Sequence, residues 1–124
     1  MSEMEWVNLT PHLIRLITPD GVVEIPPSGQ VARVGEVRKK AGEVEGLPVF
    51  AVEYGEVEGL PPSRPGTRYL VSRPVLDALR ARGVQRPDVF APDTGAGAVR
   101  NEKGEVVGVK SLLSPSPSFL EVIG

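Results

Sequence analysis

The sequence predicts a mostly-β α+β domain, a small barrel or a rolled antiparallel or mixed sheet, with one short helix at about 73–82. Three observations predict it. Fourteen glycines and thirteen prolines stand among 124 residues, against about 15 of the two together at average usage. They fall between short apolar runs, so they punctuate turns. The runs themselves are rich in Val, Ile, Leu and Tyr, as strands are. Only one stretch carries apolar residues at helical spacing.

The elements follow in order. Leu13–Ile17 and Val22–Ile25 flank Thr18-Pro-Asp-Gly21, a proline-initiated turn that reads as a hairpin. Pro26-Pro-Ser-Gly29 stops the second strand, because proline cannot donate to a ladder. Gln30–Val37 is extended, and Arg38-Lys39-Lys40 reads as a charged turn or edge. Val49–Tyr54 is β-rich and reads as a central strand. Arg68–Ser72 and Val89–Ala91 are two more strands. Val99-Arg100 and Val106–Lys110 flank Asn101-Glu-Lys-Gly104, a second hairpin.

The helix is marked by Pro74 in its first turn, where a missing N–H costs nothing. Ser72 is placed to cap it, and Val75, Leu76 and Leu79 share one face. Asp77 and the pair Arg80 and Arg82 complement the helix dipole, and Gly83 ends the element. Gly42-Glu-Val-Glu-Gly-Leu-Pro48 recurs as Gly55-Glu-Val-Glu-Gly-Leu-Pro61. Two copies cannot make a solenoid. Each copy is expected to end a strand with a Gly-Leu-Pro turn that tucks its leucine inward. Residues 1–113 are expected to form one β-rich domain. Ser114-Pro-Ser-Pro-Ser118 is an extended linker to an apolar arm of Phe119, Leu120, Val122 and Ile123. That arm is expected to dock on its own domain, on another copy or on a different partner.

Composition excludes several classes. Apolar residues are 40% and charged residues 24%, as in ordinary soluble domains. No apolar run approaches the roughly 20 residues of a membrane span. The N-terminus is acidic and lacks an apolar core, so no signal peptide is expected and the cytoplasm is the expected location. Net charge is −2, which disfavours nucleic-acid binding by phosphate neutralisation. Cysteine is absent, so disulfides, thiol catalysis and cysteine-based zinc sites are excluded. One histidine leaves no site that needs two, and no metal or cofactor is expected. Ten arginines against four lysines, with proline-rich loops, suit a thermophilic host or a GC-rich genome.

Three groups of residues could carry chemistry. Asn8-Leu-Thr-Pro-His12 places a carboxamide, a hydroxyl and an imidazole within five residues. An imidazole can serve as an acid, a base or an anion contact. The plainer reading is that Asn8 and Thr10 tie down a turn. Pro92-Asp-Thr-Gly-Ala-Gly97 contains Asp-Thr-Gly-Ala, which looks like the active-site turn of aspartic proteases. The proline before Asp93 and the short chain after it depart from that pattern. A glycine-rich turn that nests an anion on its backbone N–H groups, with Arg100 beside it, fits better. Tyr54 and Tyr69, with Arg68 and Arg73, could stack and clamp a base or phosphate, or simply fill the core. Glu43, Glu45, Glu56 and Glu58 most simply form solvated strand faces.

As a unit, Asn8–His12, Pro26–Gly29 with Ala32-Arg33, Tyr54–Pro61, Tyr69–Ser72, Pro92–Gly95 and Val99–Glu102 resemble a family of small phage and prophage proteins. The resemblance spans about residues 7 to 113 and is specific in order and spacing. It leaves out the first six residues and the Ser-Pro tail. That family would carry Asp at position 101, where this chain has Asn. The resemblance implies a phage setting and brings no mechanism.

The leading expectation is a non-enzymatic binding protein that acts on a host protein or sequesters a small anionic, nucleotide-like ligand. Its site would be drawn from Asn8, Thr10, His12, Tyr54, Arg68, Tyr69, Asp93, Thr94 and Arg100. The first alternative is an acid–base or aspartic-type hydrolase using Asp93 and His12. The second is a virion or assembly protein that docks, as a homo-oligomer, through its C-terminal arm.

Overall fold

The computed structural model describes residues 5–115. The arm residues Phe119, Leu120, Val122 and Ile123 lie outside the described residues. Ten strands and one helix follow in chain order: β1 (Glu5–Asn8), β2 (Ile14–Thr18), β3 (Gly21–Ile25), β4 (Arg33–Val44), β5 (Leu47–Glu58), β6 (Thr67–Leu70), α1 (Arg73–Ala81), β7 (Val89–Pro92), β8 (Ala98–Arg100), β9 (Val106–Val109) and β10 (Leu112–Leu113). The domain is α+β and mostly β. Among the described residues no helix is long and apolar enough to cross a membrane.

Among the described residues the strands form two four-stranded sheets and a separate ribbon, and no barrel closes. The first sheet has the order β1-β6-β7-β10. β1, β6 and β7 are parallel, and β10 is antiparallel to β7. α1 links β6 to β7, so these three elements make a βαβ unit. The second sheet has the order β3-β2-β9-β8, with β2 parallel to β9.

The parallel sheet is covered on both faces, and its residues show it. Tyr69, Val71, Val89 and Ala91 pack with Val75, Leu76 and Leu79 of the helix. The intervening Leu70 and Phe90 point the other way and pack with Ile14, Leu16, Ile25 and Val109 of the second sheet. A strand buried on both faces reads as an unbroken apolar run, which Tyr69-Leu70-Val71 and Val89-Phe90-Ala91 are. The result is three layers, helix, parallel sheet and second sheet, with two apolar cores between them.

Both predicted hairpins are present. Thr18 pairs with Gly21 across Pro19-Asp20. The Thr18 hydroxyl donates to the Gly21 carbonyl at 2.8 Å. In the second hairpin, Asn101 Oδ1 accepts from the N–H groups of Lys103 and Glu105 at 2.9 and 3.0 Å. An aspartate oxygen would accept the same two bonds, so the Asn at position 101 keeps the turn. The helix starts at Arg73 with Pro74 in its first turn, and Gly83 takes a φ of 68° just past its end. Ser72 stands at the N-cap position, but its side chain makes no capping bond.

Other expectations are overturned. Of the two readings of Arg38-Lys39-Lys40, the turn fails and the edge stands: β4 runs through it and is one of two strands in its sheet. Val49–Tyr54 is not central: it belongs to β5, which among the described residues pairs with β4 alone. The first repeat copy holds the hairpin turn itself, with Glu45 and Gly46 at φ 51° and 80°. Two successive positive φ values are the signature of a type I′ hairpin turn. Leu47 therefore emerges beyond the turn and is 68% exposed. Leu60 of the second copy does pack against the helix-side core. The same heptapeptide thus serves as a hairpin tip and as a strand exit. The packed chain also continues past 113, because the Pro115 side chain is fully buried.

Arg86 and Asp88 fasten the loop before β7. Arg86 Nε and Nη2 donate to the two Asp88 oxygens at 2.9 and 3.0 Å, and Nη2 also reaches the Pro61 carbonyl at 2.9 Å. Burial pushes the Asp88 carboxyl up, but the Arg86 hydrogen bond and charge, with backbone and Ser63 bonds, hold it below its ordinary value.

Two predictions follow from these constraints. Gly59 has a φ of 83°, and a Cβ there would lie 2.6 Å from the Val31 carbonyl oxygen. Gly59→Ala should cost about 2–3 kcal/mol in urea denaturation. Gly46→Ala, at a similar φ with open space around it, should cost about 1 kcal/mol. The depressed Asp88 carboxyl contributes stability above the unfolded value of 3.8, which is lost as pH falls through the lower folded value. Wild type should therefore exceed Asp88→Asn in stability at neutral pH, and the gap should shrink in denaturation curves taken progressively below pH 3.8.

Candidate functional site

Parallel strands deliver their carboxyl ends to one edge of a sheet. Here β1, β6 and β7 run the same way, so the segments that follow them meet. Those segments are Thr10–His12, Ser72-Arg73 and Asp93-Thr94. They border one groove of about 630 Å³, closed on its far side by residues of β2 and β9. Clefts beyond the carboxyl ends of parallel strands are the usual ligand sites of such sheets, and the volume lies in the range of small-molecule pockets.

The groove has an apolar wall and a polar end. Leu13, Ile14, Val71, Val106 and Val109 supply the wall. Thr10, His12, Ser72, Arg73 and Thr94 supply the polar groups. Leu13 and Val106 are 49% and 43% exposed. They are large apolar side chains left open to solvent along the groove.

The Thr10–His12 segment is held by Asn8, which is buried. Asn8 Nδ2 donates to the His12 carbonyl at 2.7 Å and to the Ile25 carbonyl at 2.9 Å. Asn8 Oδ1 accepts from Thr10 N at 2.9 Å and from Thr10 Oγ1 at 2.7 Å. The Asn8 carbonyl accepts from Ser28 Oγ at 2.7 Å and Ser28 N at 3.0 Å. All the hydrogen-bonding capacity of this carboxamide is used within the chain. Asn8 therefore builds the site and does not face it. The Thr10 hydroxyl is likewise committed, although Thr10 borders the groove. The His12 side chain is exposed at the rim.

Arg73 and Arg15 are the cations of the groove. Arg15 donates to Glu24 at 2.7 Å and to the Val107 carbonyl at 3.2 Å. Arg73 pairs with Asp77 one turn along α1, at 3.0 Å, with its side chain 59% exposed. Exposed pairs of this kind contribute about 0.5 kcal/mol or less, so Arg73 can turn to a ligand at small cost. It also stands at the N-terminus of α1, where the helix dipole favours an anion.

Asp93 adjoins the groove and braces it. Its Oδ2 accepts from Ser111 Oγ at 3.0 Å and its Oδ1 from Gly95 N at 3.1 Å. The Ser111 bond, opposed by desolvation and helped by the Gly95 and Gly97 N–H groups and the Arg73 charge, holds the carboxyl below its ordinary value. The Asp-Thr-Gly segment is thus an Asx turn whose carboxylate is ionised and engaged on both oxygens. Its neighbour Thr94 is exposed and borders the groove.

No family model, curated protein or solved structure matches this chain. The site is read from its own geometry.

The remaining candidate residues lie elsewhere. Tyr69 is fully buried among helix-side core residues, with its hydroxyl 3.3 Å from the Pro62 carbonyl, so its ring cannot stack on a ligand. Arg68 lies over the Trp6 ring at 4.6 Å, on β6 beside β1. Tyr54 is on the ribbon, opposite Glu36. Arg100 caps its own hairpin by donating to the Gly104 carbonyl at 2.6 Å, so it does not serve the Pro92–Gly97 turn. Among the described residues, no three His, Cys, Asp or Glu side chains group as metal ligands. The sequence expectation for the site did not include Ser72, Leu13 or Arg15. The signal for Ser72 was the step from an apolar run straight into a proline-started helix, which marks a strand-to-helix corner; Leu13 and Arg15, at the start of β2, had no such signal.

Asn8→Ala should leave the Thr10 N–H and the Ile25 carbonyl without their partner and the His12 carbonyl with the Thr10 hydroxyl alone. A loss of about 3 kcal/mol is expected in urea denaturation. Asn8→Asp keeps the two acceptor bonds and loses the two donors, so it should not restore wild-type stability.

Proposed function

We propose that this chain is a non-enzymatic binding protein that captures a small ligand with an anionic group and an apolar or planar body, as a nucleotide has. The observation that carries this reading is the meeting of three parallel strand ends at one groove that pairs an apolar wall with Arg73, His12, Ser72 and Thr94. Arg73 and the imidazole would hold the anion, with the dipole of α1 behind them. The valine and leucine wall would take the body, in place of the tyrosine stacking expected from the sequence. A small ligand needs only a few cations, so the net charge of −2 is no obstacle. Capture also suits the engagement of Asp93, whose oxygens are occupied by Ser111 and Gly95. In a phage setting such a protein would withdraw a host signal molecule.

The test is thermal unfolding with a panel of mono-, di- and cyclic nucleotides, pyrophosphate and uncharged nucleosides. A ligand at a hundred times its Kd adds about 2.7 kcal/mol, which raises Tm by several degrees. The rise should appear with an anionic member of the panel, vanish in Arg73→Ala, weaken in His12→Ala and survive in Arg100→Ala. Mass spectrometry of the incubated ligand should find it unchanged. A panel without any shift, or a ligand that is consumed, overturns the reading.

A further inference from the structure

The charges around the groove are closely balanced. Arg15 donates to Glu24 at 2.7 Å, so that pair brings no net charge. Arg73 Nε donates to Asp77 Oδ1 at 3.0 Å. The Arg73 charge also acts on Asp93, which stands between the lining residues Pro92 and Thr94. Asp93 is ionised at neutral pH, and its two oxygens accept from uncharged groups, Ser111 Oγ and Gly95 N. Arg73 therefore serves two carboxylates. With His12 counted neutral, Arg73, Asp77 and Asp93 together carry one net negative charge.

Such a setting sorts ligands by how much charge they bring. Turning Arg73 from Asp77 to one negative group exchanges one exposed partner for another. Any further negative charge finds both groove arginines engaged and lies near the Asp93 carboxylate, where like charges repel. Phosphate esters differ on this point. A monoester carries about −1.5 to −2 at neutral pH, and diphosphates and triphosphates carry more. A diester has no second proton to lose and keeps a single negative charge. The wall of Leu13, Ile14, Val71 and Val109 acts in the same direction. Aliphatic surroundings penalise each charge taken out of water, and a diester gives up the least hydration.

We propose that the groove selects a singly charged phosphodiester, as in a cyclic mononucleotide, over linear nucleotides whose phosphates carry more charge. This rests on the reading of the groove as the site of a nucleotide-like anion, and it adds the charge of that anion.

Calorimetric titration of the full chain at low ionic strength tests it, with the cyclic monophosphates and the linear mono-, di- and triphosphates of the four common nucleosides. A cyclic nucleotide should bind about tenfold more tightly than the linear monophosphate of the same base, and the di- and triphosphates more weakly still. Asp77→Asn and Asp93→Asn each remove one negative charge and keep the side chain's size. Coulomb energy scales with the ligand's charge. A variant that strengthens the cyclic nucleotide about threefold should therefore strengthen the linear monophosphate about tenfold. Selectivity should narrow in both variants. Asp77 lies outside the loop that Asp93 braces, so its variant reports on charge even if Asp93→Asn loosens that loop. Glu43→Gln, on the β4–β5 ribbon, should leave every affinity as it is. Linear monophosphates that bind as tightly as cyclic ones overturn the proposal and leave the groove reading standing. So do Asp77 and Asp93 variants in which the ratio of the two affinities is unchanged. A panel in which no nucleotide binds overturns the proposal and the reading together.

Discussion

The arrangement depends on the buried carboxamide of Asn8. It sits at the end of β1, in the parallel sheet, and reaches the carbonyl of Ile25 at the end of β3, in the other sheet. In the same place it fastens the Thr10 N–H and hydroxyl. A buried amide must find partners for two donors and two acceptor sites. Here the partners come from both layers, so satisfying one side chain sets the distance between the sheets and the course of the loop between them. A smaller or apolar residue would leave the Thr10 N–H and the Ile25 carbonyl, on two segments, without their partner. That cost makes the Asn8 position more demanding than any single core contact.

The groove follows from that constraint. With the sheets stapled at Asn8, the carboxyl ends of β1, β6 and β7 open beside the second sheet, and the space between is lined from both. On the other flank the Asp93 carboxylate plays the matching part, because Ser111 and the Gly95 N–H bind it and hold the loop after β7. Two polar side chains that read in the sequence as chemical candidates are thus spent on architecture. What is left facing the groove is a small set of groups suited to holding a ligand: an exposed arginine, an exposed imidazole, two hydroxyls and an aliphatic wall.

The ribbon obeys a different balance. Only its base, through Val34 and Val57, contributes to a core, the helix-side one. Beyond the base its apolar side chains stay exposed. Residues 38–40 read as a charged turn or edge, and cross-strand partners keep them extended at an edge: Arg38 lies 4.4 Å over the Phe50 ring and Lys39 meets Glu53 at 3.4 Å. Such pairs hold a hairpin in register but leave its faces open.

Local chemistry was legible in the amino-acid order. Pro19-Asp20-Gly21, Asn101–Gly104, Pro74 and Gly83 each restrict their own backbone torsions, so both hairpins and the helix could be placed from neighbouring residues alone. The mostly-β class followed from the spacing of those breaks. Pairing and burial could not be placed in this way. Whether Tyr69 lines a site or fills a core depends on the helix eight or so residues later and on a strand twenty residues away. Whether Val49–Tyr54 is central depends on how many strands pair with it, and one does. The same heptapeptide turns at one copy and exits a strand at the other because their tertiary surroundings differ. Torsional preference acts within a few residues, whereas parallel pairing and the closing of a groove rest on contacts between segments far apart in the chain. Only the folded chain decided those.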